Sequence, residues 1–137
     1  MTISYEVNKP ISADQFIALL EETTLGARRP LADRARIEKM LREANLIVTA
    51  WDSERLVGVA RCLTDYAYCC YLSDLAVSEK YQKKGIGKRL IALVQKQIHP
   101  QAKIILIAAP QAYDYYGKIG FDQHPSAWTI KGDALLR

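Results

Sequence analysis

The sequence predicts an α/β (α+β) fold: one mixed, mostly antiparallel sheet flanked by helices. Three observations predict it. Between residues 46 and 77, runs rich in β-formers follow one another across short polar turns at Asp52-Ser53-Glu54 and Thr64-Asp65, the way antiparallel neighbours are joined. Asp74–Ile98 reads as a strand, a glycine-bearing turn and an amphipathic helix, and the apolar run Lys103–Ala109 follows it. That order is a strand–helix–strand crossover, which joins parallel strands and is right-handed. Two helical patterns stand in front of the meander. With 137 residues, half hydrophobic and a quarter charged, a single domain spanning 1–137 is expected.

The elements follow in order. Ile3–Val7 alternates as a short first strand, broken by Pro10. Ser12-Ala13-Asp14-Gln15 fits a capping box, in which the Ser hydroxyl and Gln side chain satisfy two otherwise orphaned N–H groups. The helix it opens, about Ala13–Thr24, puts Phe16, Ile17 and Leu20 on one face, and Gly26 ends it. Arg28-Arg29-Pro30 is a loop, and a second helix, roughly Ala32–Ala44, buries Ile37, Met40, Leu41 and Ala44. The meander comprises Leu46–Trp51, Leu56–Leu63 and Tyr66–Val77. The next helix buries Ile86, Leu90, Leu93, Val94 and Ile98 and stops at His99-Pro100. Lys103–Ala109 shows no alternation, which suits a strand covered on both faces. A short helix, Gln111–Ile119, precedes Gly120-Phe121, and Ala127–Lys131 can supply a last strand.

Composition narrows the function classes. No apolar run approaches the ~20 residues that span a bilayer. The N-terminal MTISYEVNKP has neither a basic n-region nor an apolar h-region, so the cytosol is the default compartment. Cys62, Cys69 and Cys70 lie in expected strands without metal-ligand spacing, and His99 and His124 are isolated, so no metal is expected. The net charge of +4 is concentrated in two stretches. Residues 79–89 hold Lys80, Lys83, Lys84, Lys88 and Arg89 against Glu79; residues 28–42 hold Arg28, Arg29, Arg34, Arg36, Lys39 and Arg42 against Asp33 and Glu38. Nucleic acid is not the favoured partner, because aromatic residues are not interleaved with these charges as in stacking platforms. A polyanionic cofactor accounts for the first cluster, and a solvated helix face for most of the second.

The turn Gln82-Lys83-Lys84-Gly85-Ile86-Gly87 carries the chemistry. Glycines let the chain bend sharply so that its N–H groups converge, and the helix that begins there adds unpaired N–H groups and a partial positive charge. Both favour a phosphate or pyrophosphate. A P-loop needs four residues between its glycines, then Lys and Ser/Thr; here one residue separates them and Arg89 follows Lys88. A dinucleotide fingerprint needs a third glycine where Leu90 stands.

What remains, Gln-x-x-Gly-x-Gly after "LAV" and a Tyr-Gln pair, resembles the acetyl-CoA signature of the GCN5-related N-acetyltransferase (GNAT) superfamily, Arg/Gln-x-x-Gly-x-Gly/Ala. Tyr115-Tyr116-Gly117-Lys118-Ile119-Gly120-Phe121 is similar to the family's FYEKLGF-type sequence. The resemblance covers nearly the whole chain and is weakest before Leu46. It implies the acyl-CoA N-acyltransferase fold, with the strands ending at Val77 and Ala109 splayed apart so that pantetheine bonds the backbones of Leu75 and Val77. It implies that Gln82, Lys83, Lys84, Gly85, Ile86, Gly87 and Lys88 hold the pyrophosphate through their backbone. Tyr116 takes the position of the family tyrosine aimed at the cofactor sulfur, as general acid or hydrogen-bond donor to the departing thiolate. A tyrosine near pKa ~10 is a weaker acid than a thiol near ~8.5, which makes full proton transfer uphill by about 2 kcal/mol and donation the simpler role. Two departures stand out: Ala109 replaces an Asn common in relatives, and Gly117 replaces a polar or acidic residue.

An attacking amine must lose a proton. Asp74, beside the catalytic strand, is the candidate base; alternation sets it opposite Leu75, and a bulge could turn it inward. A backbone carbonyl or a water chain is the alternative. The expected activity is direct transfer of the acetyl group from acetyl-CoA to a primary amine whose identity is not legible. The competing reading is a non-catalytic acyl-CoA-binding or regulatory module of the same fold. Members of the family often dimerise, which leaves a homodimer open.

Overall fold

The computed structural model describes residues 2–137. The backbone forms two compact units, one extending to Ile107 and the other Ala108–Arg137. The first holds a five-stranded sheet in the order β1 (Ile3–Val7), β2 (Leu46–Asp52), β3 (Arg55–Thr64), β4 (Cys69–Val77), β5 (Lys103–Ile105). All neighbours are antiparallel except β4 and β5, which run parallel. This is the mixed, mostly antiparallel sheet expected from the short turns and the crossover.

Helix α1 (Ala13–Glu21) opens with the expected capping box: Gln15 N–H donates to Ser12 Oγ at 3.1 Å and Ser12 N–H donates to Gln15 Oε1 at 2.9 Å. It stops three residues before the expected Thr24, because the Thr23 hydroxyl donates to the Leu20 carbonyl at 2.8 Å and accepts from Leu25 N–H at 3.2 Å. A 3-10 turn over Thr24–Arg28 follows, and Gly26 lies inside it rather than ending α1; a Cβ there would fall 2.5 Å from the Leu20 carbonyl oxygen. Helix α2 is Arg34–Glu43, capped by Asp33. Phe16, Leu19 and Leu20 of α1 and Ile37 of α2 pack on Ile47, Trp51, Val59 and Ala76 of the sheet. Ile17, Met40, Leu41 and Ala44 are only partly buried beside this core.

Helix α3 (Ile86–Gln97) covers the other face, burying Ile86, Leu90, Ile91 and Val94, while Leu93 is half-buried. It lies close over Gly58 of β3: a Cβ there would sit 3.2 Å from both Ile86 Cγ2 and Leu90 Cδ1.

Three expected strands differ. β4 starts at Cys69, not Tyr66, because the Asp65 carboxylate accepts from the N–H groups of Ala67, Tyr68 and Cys69, and Tyr66 takes a left-handed φ of 64°. β5 ends at Ile105 instead of Ala109, and its run is not covered on both faces: Ile105 is 50% and Ile107 51% exposed. It has one paired neighbour and lies at the sheet edge, so its apolar character reflects an open edge and not a doubly covered strand. Residues 127–131 form no strand, and Trp128 is 92% exposed.

The junction between β4 and α3 is tied to α1. Ser78 Oγ donates to the Glu22 carboxylate, Arg55 Nη2 donates to both Glu22 oxygens at 2.8 and 2.9 Å, and Glu79 N–H donates to the Glu22 carbonyl at 3.2 Å. Tyr81 OH donates to Asp52 at 2.6 Å.

Two outcomes are expected. Gly58→Val should force α3 off β3 and destabilise by about 1–3 kcal/mol, read from urea unfolding midpoints. The Ser78 hydroxyl, and after it Arg55, hold the Glu22 carboxyl below its ordinary value against an opposing burial effect. A depressed native value stabilises the fold above the unfolded pKa, and this contribution is lost as pH falls through the native one. Wild type should therefore lose stability more steeply than Glu22→Gln as pH drops below about 4.3; parallel curves would remove Glu22 from the acid transition.

Candidate functional site

The parallel pairing of β4 with β5 runs from Cys69↔Lys103 to Tyr71↔Ile105 and stops there, while β4 continues to Val77. Ser78 N–H donates to the Val57 carbonyl at 2.9 Å, so at that position the backbone faces β3. Main-chain groups alternate sides along a strand, so Leu75 and Val77 turn their N–H and C=O toward the opposite edge, where β5 has ended. The Gln82 side chain confirms the direction by donating to the Val77 carbonyl at 3.0 Å. The Val77 carbonyl is thus taken by Gln82, and no strand pairs with the other edge-facing backbone groups of Leu75 and Val77.

The glycine turn lies immediately beyond. Gly85 is the N-cap of α3 in the left-handed region, with φ 79° and ψ 9°, and no side chain caps the helix. The first intrahelical bond is Arg89 N–H to the Gly85 carbonyl at 3.0 Å, so the amides of Ile86, Gly87 and Lys88 have no intrahelical acceptor. Lys83 is also left-handed, at φ 63°. Left-handed residues beside helical ones make concave groups of N–H donors that suit anions. Gln82, Lys83, Lys84, Gly85 and Lys88 are exposed, Gly87 is half-buried and Ile86 is buried as the anchor of the helix. Nothing lies within 4 Å of a Cβ built on Gly85, so the turn is open on that side. Arg89 departs from the expected cluster: its guanidinium lies over the Tyr5 ring, 5.8 Å from the centroid.

Asp74 is placed where its neighbours leave it little freedom. It is fully buried; Arg29 Nε donates to one carboxylate oxygen and Arg61 Nε to the other. A β-bulge is present, since Arg61 pairs with Asp74 and the next β3 residue, Cys62, pairs with Leu72, leaving Ser73 without a partner. It does not bring Asp74 beside Leu75: Asp74 shares a face with Arg61, and Leu75 shares the opposite face with Ala60. A carboxylate engaged on both oxygens must break one of these bonds before it can accept a substrate proton, which argues against the expected role as base.

Sequence reasoning missed Arg29 and Arg61. The available signal was an arginine in the middle of the apolar run LVGVARCL, which requires a buried acceptor, and Asp74 is the matching charge in the next strand. The other arginines of the 28–42 stretch fit the solvated-face reading, Arg34 pairing with Asp14 and Arg42 with Glu43 at 3.5 Å.

In the second unit, α4 (Tyr113–Lys118) carries Tyr116. Its ring meets Tyr115 at 5.3 Å and Phe121 at 5.4 Å, both edge to face, and its carbonyl accepts from Phe121 N–H at 2.9 Å. Gly120, at φ 112°, makes the bend. Burial pushes the Tyr116 phenol above its ordinary pKa, and Tyr115 adds to the effect. Tyr113, at the start of α4, is 59% exposed.

Among the described residues, no group of three or more His, Cys, Asp or Glu is placed to hold a metal ion, and no helix is long and apolar enough to cross a membrane.

Comparison with known proteins identifies the family and the fold. The chain is 36% identical over 84 residues to the chloroplastic GCN5-related N-acetyltransferase 2 of Arabidopsis thaliana, covering 58% of this chain and 31% of that relative. It thus spans about a third of the length of that protein. A probable acetyltransferase from meticillin-resistant Staphylococcus aureus superposes with a TM-score of 0.76 at 24% identity, covering 95% of this chain and 98% of that one. An aminoglycoside N-acetyltransferase in complex with CoA gives a TM-score of 0.70 at 14% identity over 97% and 96% of the two chains. These two likenesses establish the fold. Residues 20–132 match the model of the acetyltransferase (GNAT) domain, and the chain belongs to that family.

Proposed function

We propose that the protein is an N-acetyltransferase that moves the acetyl group of acetyl-CoA directly to a primary amine. The observation that carries this reading is one juxtaposition: the edge of β4 at Leu75 and Val77, left without a strand neighbour by β5, is joined through the short Glu79–Tyr81 turn to the uncapped N-terminus of α3. A ligand matching both must be extended and amide-bearing at one end and polyanionic at the other, which is the chemistry of pantetheine joined to a diphosphate. Acetyl-CoA, when bound, supplies an acyl group activated as a thioester. The free N–H groups of Ile86, Gly87 and Lys88, with Lys83, Lys84 and Gln82 beside them, hold the diphosphate. The edge backbone of Leu75 and Val77 aligns the arm, and an N–H there stabilises the oxyanion as the amine attacks.

Tyr116 is proposed, from its motif, as the hydrogen-bond donor to the departing thiolate. Its raised pKa keeps it protonated, which suits donation better than full transfer. With Asp74 engaged by two arginines, the amine proton leaves through water or a backbone carbonyl. In this reading residues 1–137 are a single N-acetyltransferase domain, and the free cysteines suit a reducing compartment such as the cytosol.

Two measurements test it. Acetyl-CoA should raise the melting temperature, and a panel of small amines, polyamines and peptide N-termini should contain at least one acceptor; tight binding without acetyl consumption would favour the non-catalytic module. Tyr116→Phe should lower kcat about tenfold or more while acetyl-CoA affinity changes little. An unchanged kcat would remove Tyr116 from the mechanism.

A further inference from the structure

We propose that Arg29, Asp74 and Arg61 form a positioning clamp that fixes the β4 bulge, sets where β4 leaves β5, and couples that opening to the connection between α1 and α2. This rests on the acetyltransferase reading and assigns three residues to it.

Ser73, the residue that the β3–β4 register leaves unpaired, is gripped by both arginines: its carbonyl accepts from Arg29 Nη2 at 2.7 Å and its hydroxyl from Arg61 Nη2 at 2.9 Å. The adjacent Asp74 carboxylate takes the Nε–H of each. Side-chain exposure falls from 20% at Arg29 to 7% at Arg61 and 0% at Asp74, so the cluster closes inward from the surface.

A bulge bends its strand and increases local twist. This one, at Ser73, lies one residue beyond Leu72, which itself follows Tyr71, the last residue paired with β5, so the bend falls close to where the two strands part. The clamp reaches beyond the sheet on two sides. Arg29 follows the Thr24–Arg28 turn and also donates to the Arg28 carbonyl at 2.9 Å, and Arg61 Nη1 donates to the Met40 carbonyl of α2 at 3.2 Å. One carboxylate therefore links the α1–α2 connection, the end of α2 and the parting strand. One buried and one half-buried cation against one buried anion is a costly arrangement to keep unless its geometry is used.

The experiment compares wild type with Arg29→Met and Asp74→Asn. Amide hydrogen exchange over residues 72–77 is measured without ligand, together with acetyl-CoA affinity, kcat and the pH profile of kcat. Arg29→Met should speed exchange at Ser73–Leu75 and lower kcat about tenfold or more, because displaced reacting groups lose rate steeply. Acetyl-CoA affinity, set largely at the glycine turn, should fall much less, and the inflections of the pH profile should stay in place. Asp74→Asn should act in the same direction with a lower melting temperature. Arg29, partly exposed, keeps the test usable if the Asn variant does not fold.

Unchanged exchange and kcat in Arg29→Met would overturn the clamp. So would a folded Asp74→Asn whose pH profile loses its acidic limb, the mark of a base. If wild type neither binds acetyl-CoA nor acetylates any amine, the acetyltransferase reading fails, and the exchange data still decide whether the clamp holds the bulge.

Discussion

A main-chain N–H or C=O that leaves water must find a partner, and β4 breaks the usual means of providing one. Its parallel neighbour stops at Ile105 while it continues to Val77, so Leu75 and Val77 present their backbone groups to an edge with no strand beside it. In most sheets this would be a liability to be covered or charged. Here the edge leads into a helix N-terminus that is also uncapped, with Gly85 in place of a Ser, Thr, Asp or Asn. Both features leave stability unclaimed in the absence of a ligand, and only the short segment between Val77 and Ile86 separates them. A single extended, anionic ligand satisfies both, which is why the reading converges on acetyl-CoA.

The rest of the first unit keeps that arrangement in place. Gly58 allows α3 to sit close on β3, which sets the height of the helix N-terminus over the sheet. The Glu22–Ser78–Arg55 network fastens the end of β4 to the end of α1. The bulge at Ser73 lies between paired and unpaired stretches of β4, held by charges buried on the face that carries α1 and α2. Local choices at scattered positions thus act on one edge.

Much of this was legible in the sequence for identifiable reasons. The Ser12–Gln15 capping box, the antiparallel meander and the Gln82–Gly87 turn are encoded within a few residues, where spacing alone determines the geometry. The parallel pair followed from the crossover rule. The length of β5 was misread because a continuous apolar run looks the same whether it is buried on both faces or lies at an edge; exposure at Ile105 and Ile107 separates the two. The strand expected over 127–131 had β-forming residues, but a strand also requires a neighbour, and none pairs with it. The Arg29–Asp74 pair spans 45 positions, and no local pattern announces it. The bulge was equally hidden, since β4 keeps an alternating burial pattern through it: Leu72 and Asp74 are both buried, on opposite faces.

The most direct test of the central claim is an amide NMR titration of the wild-type chain with coenzyme A. Signals of Leu75, Val77, Ile86, Gly87 and Lys88 should shift together and saturate at one concentration, with the β1 and β2 amides little changed. Shifts confined to other elements, or none at saturating coenzyme, would contradict it.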